Sequence, residues 1–179
     1  IWEVGKKDWD WVMGVNYQGV LHGFQTFIPH MIEHGEESHL MTTVSLAGLL
    51  PGSGTYGVSK HAVMALTEAA RNDLLARGAN VSVSALCPGF VDTNIDKSER
   101  NRPGYLTHQD VSLDESGISP VSQLLRRGKQ PSEIADIVFE AIKKGIFYIL
   151  PHPAWDEMLR ALFDQMLSRE PLPNPSADE

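Results

Sequence analysis

A strand, a long helix and a second strand follow one another between residues 39 and 85 with only short connections, and no other pattern in the chain restricts its fold as much. Residues 39–44 are apolar enough for a central strand. Residues 56–77 place Val58, Ala62, Met64, Ala65, Leu66, Ala69, Leu74 and Leu75 along a helix that Gly78 ends. Val81, Val83 and Ala85 then alternate with Ser82 and Ser84 until Cys87-Pro88-Gly89 stops the strand. A crossover of this length joins parallel strands, which predicts an α/β fold: a doubly wound, Rossmann-like parallel sheet with helices on both faces. Ligands of such sheets bind beyond the carboxyl ends of the strands. Ser45 and Pro88-Gly89 fall just past two such ends, so they face one crevice.

The stretch from Ser45 to Lys60, SLAGLLPGSGTYGVSK, lies between the first strand and the helix. Tyr56 and Lys60 are four residues apart, which sets a phenol and an ammonium one turn apart on one helix face. With the Ser45 hydroxyl at the strand end, this is the candidate catalytic centre. Two other motifs have blander readings. Gly52 to Gly57 matches GxGxxG, but no acidic residue stands at a following strand end to take a ribose, so these glycines are read as turn residues. His30 to His34 matches HxxEH without an evident third ligand, so the pair is read as surface histidines near a helix end, and no metal is expected. His61 is read as structural or exposed, and Cys87 as a small buried residue.

The remaining patterns complete the fold. Asp8 is expected to cap a helix over 8–34 that Gly35 stops, and Gly14, Gly19 and Gly23 inside it each cost about 1 kcal/mol against alanine, which points to close packing or a bend. Residues 94–130 are polar and irregular, as in a lid or binding loop. A helix over 131–144 and a strand over 146–150 supply a second crossover. An amphipathic helix over 155–168 closes a single domain spanning 1–168, and prolines at 171, 173 and 175 predict a disordered tail over 169–179. With 15 basic against 23 acidic residues the formal charge is -8 and no basic stripe exists, which argues against a nucleic-acid partner. No apolar run is long enough to cross a bilayer, and IWEVGKKDWD lacks the zones of a secretory signal, so a cytoplasmic protein without a membrane partner is expected. A single cysteine agrees with a reducing compartment, and the sequon at Asn80-Val81-Ser82 is read as a chance match.

Asn16 in VNYQGV, Ser45 in SLAG, Tyr56 and Lys60 in YGVSK, and Pro88-Gly89 in CPGFVDT occur in an order that resembles the short-chain dehydrogenase/reductase family, strongly over roughly the first 95 residues. The resemblance implies hydride transfer between a nicotinamide and a ketone or secondary alcohol, a small-molecule carbonyl or alcohol being the substrate. Tyr56 would be the general acid/base and would also contact the cofactor, and Lys60 would hold the nicotinamide ribose and favour the Tyr56 phenolate, because a phenol with a pKa of about 10 is a poor base at neutral pH without a neighbouring positive charge. Ser45 would polarise the carbonyl, and Asn16 would anchor a water that relays the proton outward. Pro88, Gly89, Val91 and Thr93 would wrap the nicotinamide. The interval from Ser45 to Tyr56 is shorter than is usual in the family, and counting back the usual interval reaches Thr43; the SLAG context favours Ser45. The family's glycine-rich phosphate loop has no counterpart here, and the chain is expected to lack an N-terminal half of roughly 80–90 residues, three βα units of about 30 each. NADP or NAD is the expected cofactor, NADP being placed first, and a homodimer or homotetramer paired through residues 8–34 and 56–77 is the expected assembly. The alternative is a catalytically inactive or truncated member acting through binding.

Overall fold

A computed structural model of the chain describes residues 1–107 and 120–171. Residues 108–119, inside the expected substrate segment, and 172–179, at the end of the expected tail, lie outside the described residues. The opening helical pattern folds as α1 (Lys6–Met13), a π-helical turn (Gly14–Gln18) and α2 (Gly19–His34). Gly35 ends α2 at φ 71°, a left-handed conformation that favours glycine. The N-cap is Gly5 and not Asp8. Asp8 stands in the first turn instead, with its carboxylate 2.6 Å from the Arg102 guanidinium, so an ion pair across 94 residues takes the group expected to cap.

Strand β1 (Ser38–Thr43) lies parallel to β2 (Val81–Leu86), with Ser38 opposite Val81 and Thr43 opposite Leu86. The crossover between them is α3 (Gly54–Ala76). The second crossover is α5 (Pro131–Lys143), which leads to β3 (Tyr148–Ile149), parallel to β2 on its other side. The sheet order is β1-β2-β3, the parallel arrangement expected from the strand–helix–strand spacing. β3 is shorter than 146–150, yet the carbonyl of Phe147, just before it, accepts from the Ala85 amide at 2.7 Å and that of Ile149 from the Cys87 amide, just past β2, at 2.9 Å. Its preceding carbonyl, at Ile146, accepts from the Ser84 hydroxyl instead.

Alternation along β2 separates two layers. Ala85 and Cys87 are fully buried against Val44, Val63 and Met64 on the α2 and α3 side, while Leu86 turns to Ile134, Ala141 and Ile149 under α5. The third layer of contacts is at the carboxyl end of the sheet, where α6 (Asp156–Ser168) sets Leu159 against Leu46 and Leu50. Between β1 and α3 a 3-10 turn (Leu46–Gly48) presses its glycine on α3, where a Cβ would come within 2.7 Å of the Lys60 carbonyl oxygen. Only a residue without a side chain permits that approach, and it brings the strand end to the first turns of α3.

Residues 94–107 and 120–130 carry more structure than their polarity predicts. Two 3-10 turns (Ile95–Asn101 and Gly104–Leu106) precede α4 (Pro120–Arg126), whose Leu125 is buried. Ion pairing supplies the order: Arg126 reaches Asp92 at 2.5 Å and Asp96 at 3.5 Å. No described helix is long and apolar enough to cross a membrane.

Candidate active site

Ser45 follows directly on the buried Val44 at the carboxyl end of β1, with φ 148° and ψ 158°. For a residue with a side chain this is strained backbone, which costs on the order of 1–3 kcal/mol and persists only where the surroundings impose it. Here they do. The Leu46 amide donates to the Pro88 carbonyl at 2.9 Å, the Gly48 amide to the Ser45 carbonyl at 3.0 Å, and the Ala47 amide to Ser45 Oγ at 3.2 Å. The Ser45 hydroxyl itself donates to the Pro88 carbonyl at 3.4 Å, a long bond that another acceptor could replace. Thr43 contributes differently. Its side chain is exposed, with the hydroxyl directed to the Met41 sulfur, and its carbonyl accepts from Lys60 Nζ at 3.1 Å.

Helix α3 starts two residues before Tyr56, so the phenol stands in the first turn and Lys60 one turn later. Lys60 Nζ lies 5.7 Å from the centroid of the Tyr56 ring. Burial lowers the pKa of this ammonium below its ordinary value, with the neighbouring Cys87 acting in the opposite sense. Cys87 itself is fully buried, and burial is the main cause that pushes its thiol up to about 12, so it stays protonated and unreactive near neutrality.

Asn16 sits inside the π-helical turn, where bulges of this kind often mark functional positions. Its side-chain amide donates to Ser59 Oγ at 2.9 Å, and the fully buried Ser59 hydroxyl donates to the Tyr56 carbonyl at 2.7 Å. Asn16 is thereby tied to the first turn of α3 through Ser59, a residue that the sequence reading passed over although it adjoins Lys60.

The second loop begins at Pro88, whose carbonyl serves the Ser45 turn. Gly89 donates its amide to His152 Nδ1 at 3.1 Å, Val91 forms a parallel bridge with Lys129, and the Asp92 amide donates to the Lys129 carbonyl at 2.9 Å. Thr93 follows, half-buried. His152 was also passed over, because a lone histidine in a loop has no distinguishing sequence signal. The histidines of the HxxEH motif stand apart from all of these groups. His30 is exposed and 4.0 Å from Glu33, and His34 Nδ1 accepts the Glu36 amide. Among the described residues no group of three or more His, Cys, Asp or Glu is placed to hold a metal ion.

The groups so gathered are a phenol with an ammonium beside it, a strained serine hydroxyl, and a backbone-lined loop at the next strand end. Proteins of known family share this chain's sequence and shape. The short chain dehydrogenase family's sequence model matches residues 1–104. The chain is similar to a CLA biosynthesis dehydrogenase/reductase of Lactiplantibacillus plantarum, 31% identical over 166 residues, which covers 89% of this chain and 58% of that protein. It is also similar to a C alpha-dehydrogenase of Sphingobium sp., 31% identical over 162 residues, covering 89% and 52%. A crystal structure of a short chain dehydrogenase/reductase from Burkholderia phymatum in complex with NAD superimposes with a TM-score of 0.85 at 42% identity, over 98% of this chain and 65% of that one. The chain spans about half the length of the curated relatives it matches.

Proposed function

Because this chain belongs to the short chain dehydrogenase family, we propose that the whole protein is an NAD(P)-dependent oxidoreductase that interconverts a ketone and a secondary alcohol. The observation that carries the reading is the pairing of Tyr56 with Lys60 in the opening turns of α3, 5.7 Å from ring centroid to Nζ, beside the Ser45 turn. The donor set fits the nicotinamide end of a dinucleotide: the Lys60 ammonium suits ribose hydroxyls, and the backbone of Pro88, Gly89 and Val91, with the Thr93 side chain, suits a carboxamide. The nicotinamide, when bound, supplies or accepts the hydride. In reduction Tyr56 Oη gives its proton to the carbonyl oxygen, and in oxidation it takes the hydroxyl proton of the alcohol. The Lys60 charge lowers the cost of the phenolate, and Ser45 Oγ, exchanging its long bond to Pro88 for the substrate oxygen, fixes that oxygen. Asn16 spends one amide hydrogen on Ser59 and keeps Oδ1 to accept from a water that passes the proton outward.

On this reading residues 1–168 belong to one Rossmann-like domain, with 94–107 and 120–130 on its substrate side. NAD is proposed ahead of NADP, in place of the preference expected from sequence, because the 42% identical relative was crystallised with NAD. Titrating NADH and NADPH into the full-length protein, followed by reduction of a panel of ketones, tests the proposal. Saturable binding with carbonyl reduction is expected; no binding of either nucleotide would favour the inactive alternative. The assembly proposed is a dimer or tetramer through α2 and α3, supported by the exposed apolar side chains of Phe27, Ile32, Val58 and Leu75 on them. Light scattering at micromolar concentration is expected to give a multiple of the protomer mass, and a monomer would overturn this.

A further inference from the structure

The Gly89–Phe90 backbone is gripped by one imidazole. The Gly89 amide donates to His152 Nδ1 at 3.1 Å, and His152 Nε2 lies 3.0 Å from the Phe90 carbonyl oxygen, which also accepts the Lys129 amide at 3.2 Å. A neutral ring can satisfy both partners in one way only. Nδ1 must accept from an amide that can only donate, so the proton sits on Nε2 and is donated to a carbonyl that can only accept. The other tautomer sets N–H against N–H and lone pair against lone pair, and the cation keeps only the Phe90 bond. The site leaves the loop little freedom to adjust. A Cβ at Gly89 would stand 3.1 Å from Trp155 Nε1 and 3.4 Å from the His152 ring, and the Phe90 and Trp155 rings pack with centroids 6.1 Å apart.

We propose that His152 is a positioning residue for the nicotinamide loop, holding the Gly89–Phe90 peptide in its binding shape through the neutral, Nε2-protonated ring. The proposal rests on the reading of Pro88 to Thr93 as that loop. His152 would act without touching the reacting atoms, by fixing the direction of loop groups that do. The hold is then dependent on pH. Burial lowers the His152 pKa from its ordinary value; the Phe90 carbonyl opposes this, and Lys129 reinforces it. Lys129 is the charged group facing the ring from the 128–130 segment, whereas the 153–155 turn presents Trp155 and the Ser45 turn presents Leu46, both uncharged. A histidine whose pKa is depressed in the folded state is stabilising as the neutral form, so the loop keeps its shape at and above the ordinary histidine value and loses it only as pH falls through the ring's lowered value.

The test uses the full-length protein and two variants. With His152→Ala, NADH dissociation constants at pH 7.5 are expected to rise about tenfold, the equivalent of one or two lost hydrogen bonds, with a smaller change in kcat. His152→Gln is expected to recover most of the affinity, because a side-chain amide can accept and donate from one planar group and carries no charge. Between pH 5 and 7.5 the wild type should weaken toward acid while the Gln variant stays flat over the same range. Nitrogen chemical shifts of the His152 ring, without nucleotide, should show the Nε2–H tautomer at pH 7.5. Unchanged binding in the Ala variant, a parallel acid loss in the Gln variant, or an Nδ1–H tautomer would each overturn the inference while leaving the oxidoreductase reading intact. A wild type that binds neither nucleotide would overturn both.

Discussion

Replacing Tyr56 by phenylalanine is expected to lower kcat for ketone reduction between about a hundredfold and ten-thousandfold while leaving nucleotide affinity nearly unchanged. The change removes one oxygen from a half-buried ring in the first turn of α3 and leaves its place in the helix intact. What disappears, on the proposed mechanism, is the proton donor for the carbonyl oxygen. Lys60 cannot take over that role, since its Nζ is held 3.1 Å from the Thr43 carbonyl and 5.7 Å from the ring centroid. Ser45 is also unsuited, because a serine hydroxyl stabilises a developing alkoxide by hydrogen bonding but has no means of giving up a proton near neutral pH. Stopped-flow mixing of NADH-loaded protein with ketone would separate the two contributions: binding amplitudes preserved, the chemical step slowed. An equal rate in the phenylalanine variant would remove Tyr56 from the mechanism, and a large loss of nucleotide affinity would make its contribution one of binding rather than proton transfer.

The parts of this architecture legible in the sequence are those decided by local periodicity. Alternation at Val81, Val83 and Ala85 placed one face of β2, and the four-residue interval between Tyr56 and Lys60 put both on α3. The glycines around Asn16 signalled irregularity, and a π-helical turn is found there. Less legible were features imposed by partners distant in the chain. Asp8 reads as a cap because its type and position suit one, but Arg102 claims it. Helix α4 was hidden by the polarity around it, although Val121, Leu124 and Leu125 stand at helical spacing and could have revealed it. The strained φ of Ser45 follows from hydrogen bonds to the Pro88 loop, 43 residues on, which no window of local sequence contains. His152 had no motif to announce it, and Ser59 stands inside YGVSK between residues with more evident chemistry, because what each does is hold another group in place.

Arg102→Ala is expected to cost about 2–3 kcal/mol of stability, more than any surface substitution would, and to release the 95–107 segment from α1. The Arg102 side chain is only 5% exposed. Its guanidinium meets Asp8 at 2.6 Å and Glu99 at 3.2 Å, its Nε donates to the Leu106 carbonyl at 3.0 Å, and its plane lies 4.7 Å from the Trp11 ring centroid. Breaking a well-buried pair costs about 3–5 kcal/mol, but Asp8 and Glu99 are 31% and 49% exposed and recover hydration when the arginine leaves, which sets the expectation below that range. Arg102→Lys should regain less than half the loss, since an ammonium keeps the charge but lacks the planar fork that serves three oxygens and stacks on an indole. Denaturant unfolding of the full-length protein gives the stability difference, and hydrogen exchange shows where it falls. Exchange should rise over residues 95–107 and the first turn of α1, while the amides of β2, buried between α3 and α5, stay protected. Nucleotide affinity should survive better than ketone KM, because Arg102 ties down the segment proposed for the substrate side and the Gly89 loop is held separately by His152 and Lys129. A uniform rise in exchange across β2 would show that Arg102 supports the whole domain, and an unchanged stability would show that hydration of the two carboxylates replaces everything the guanidinium provides.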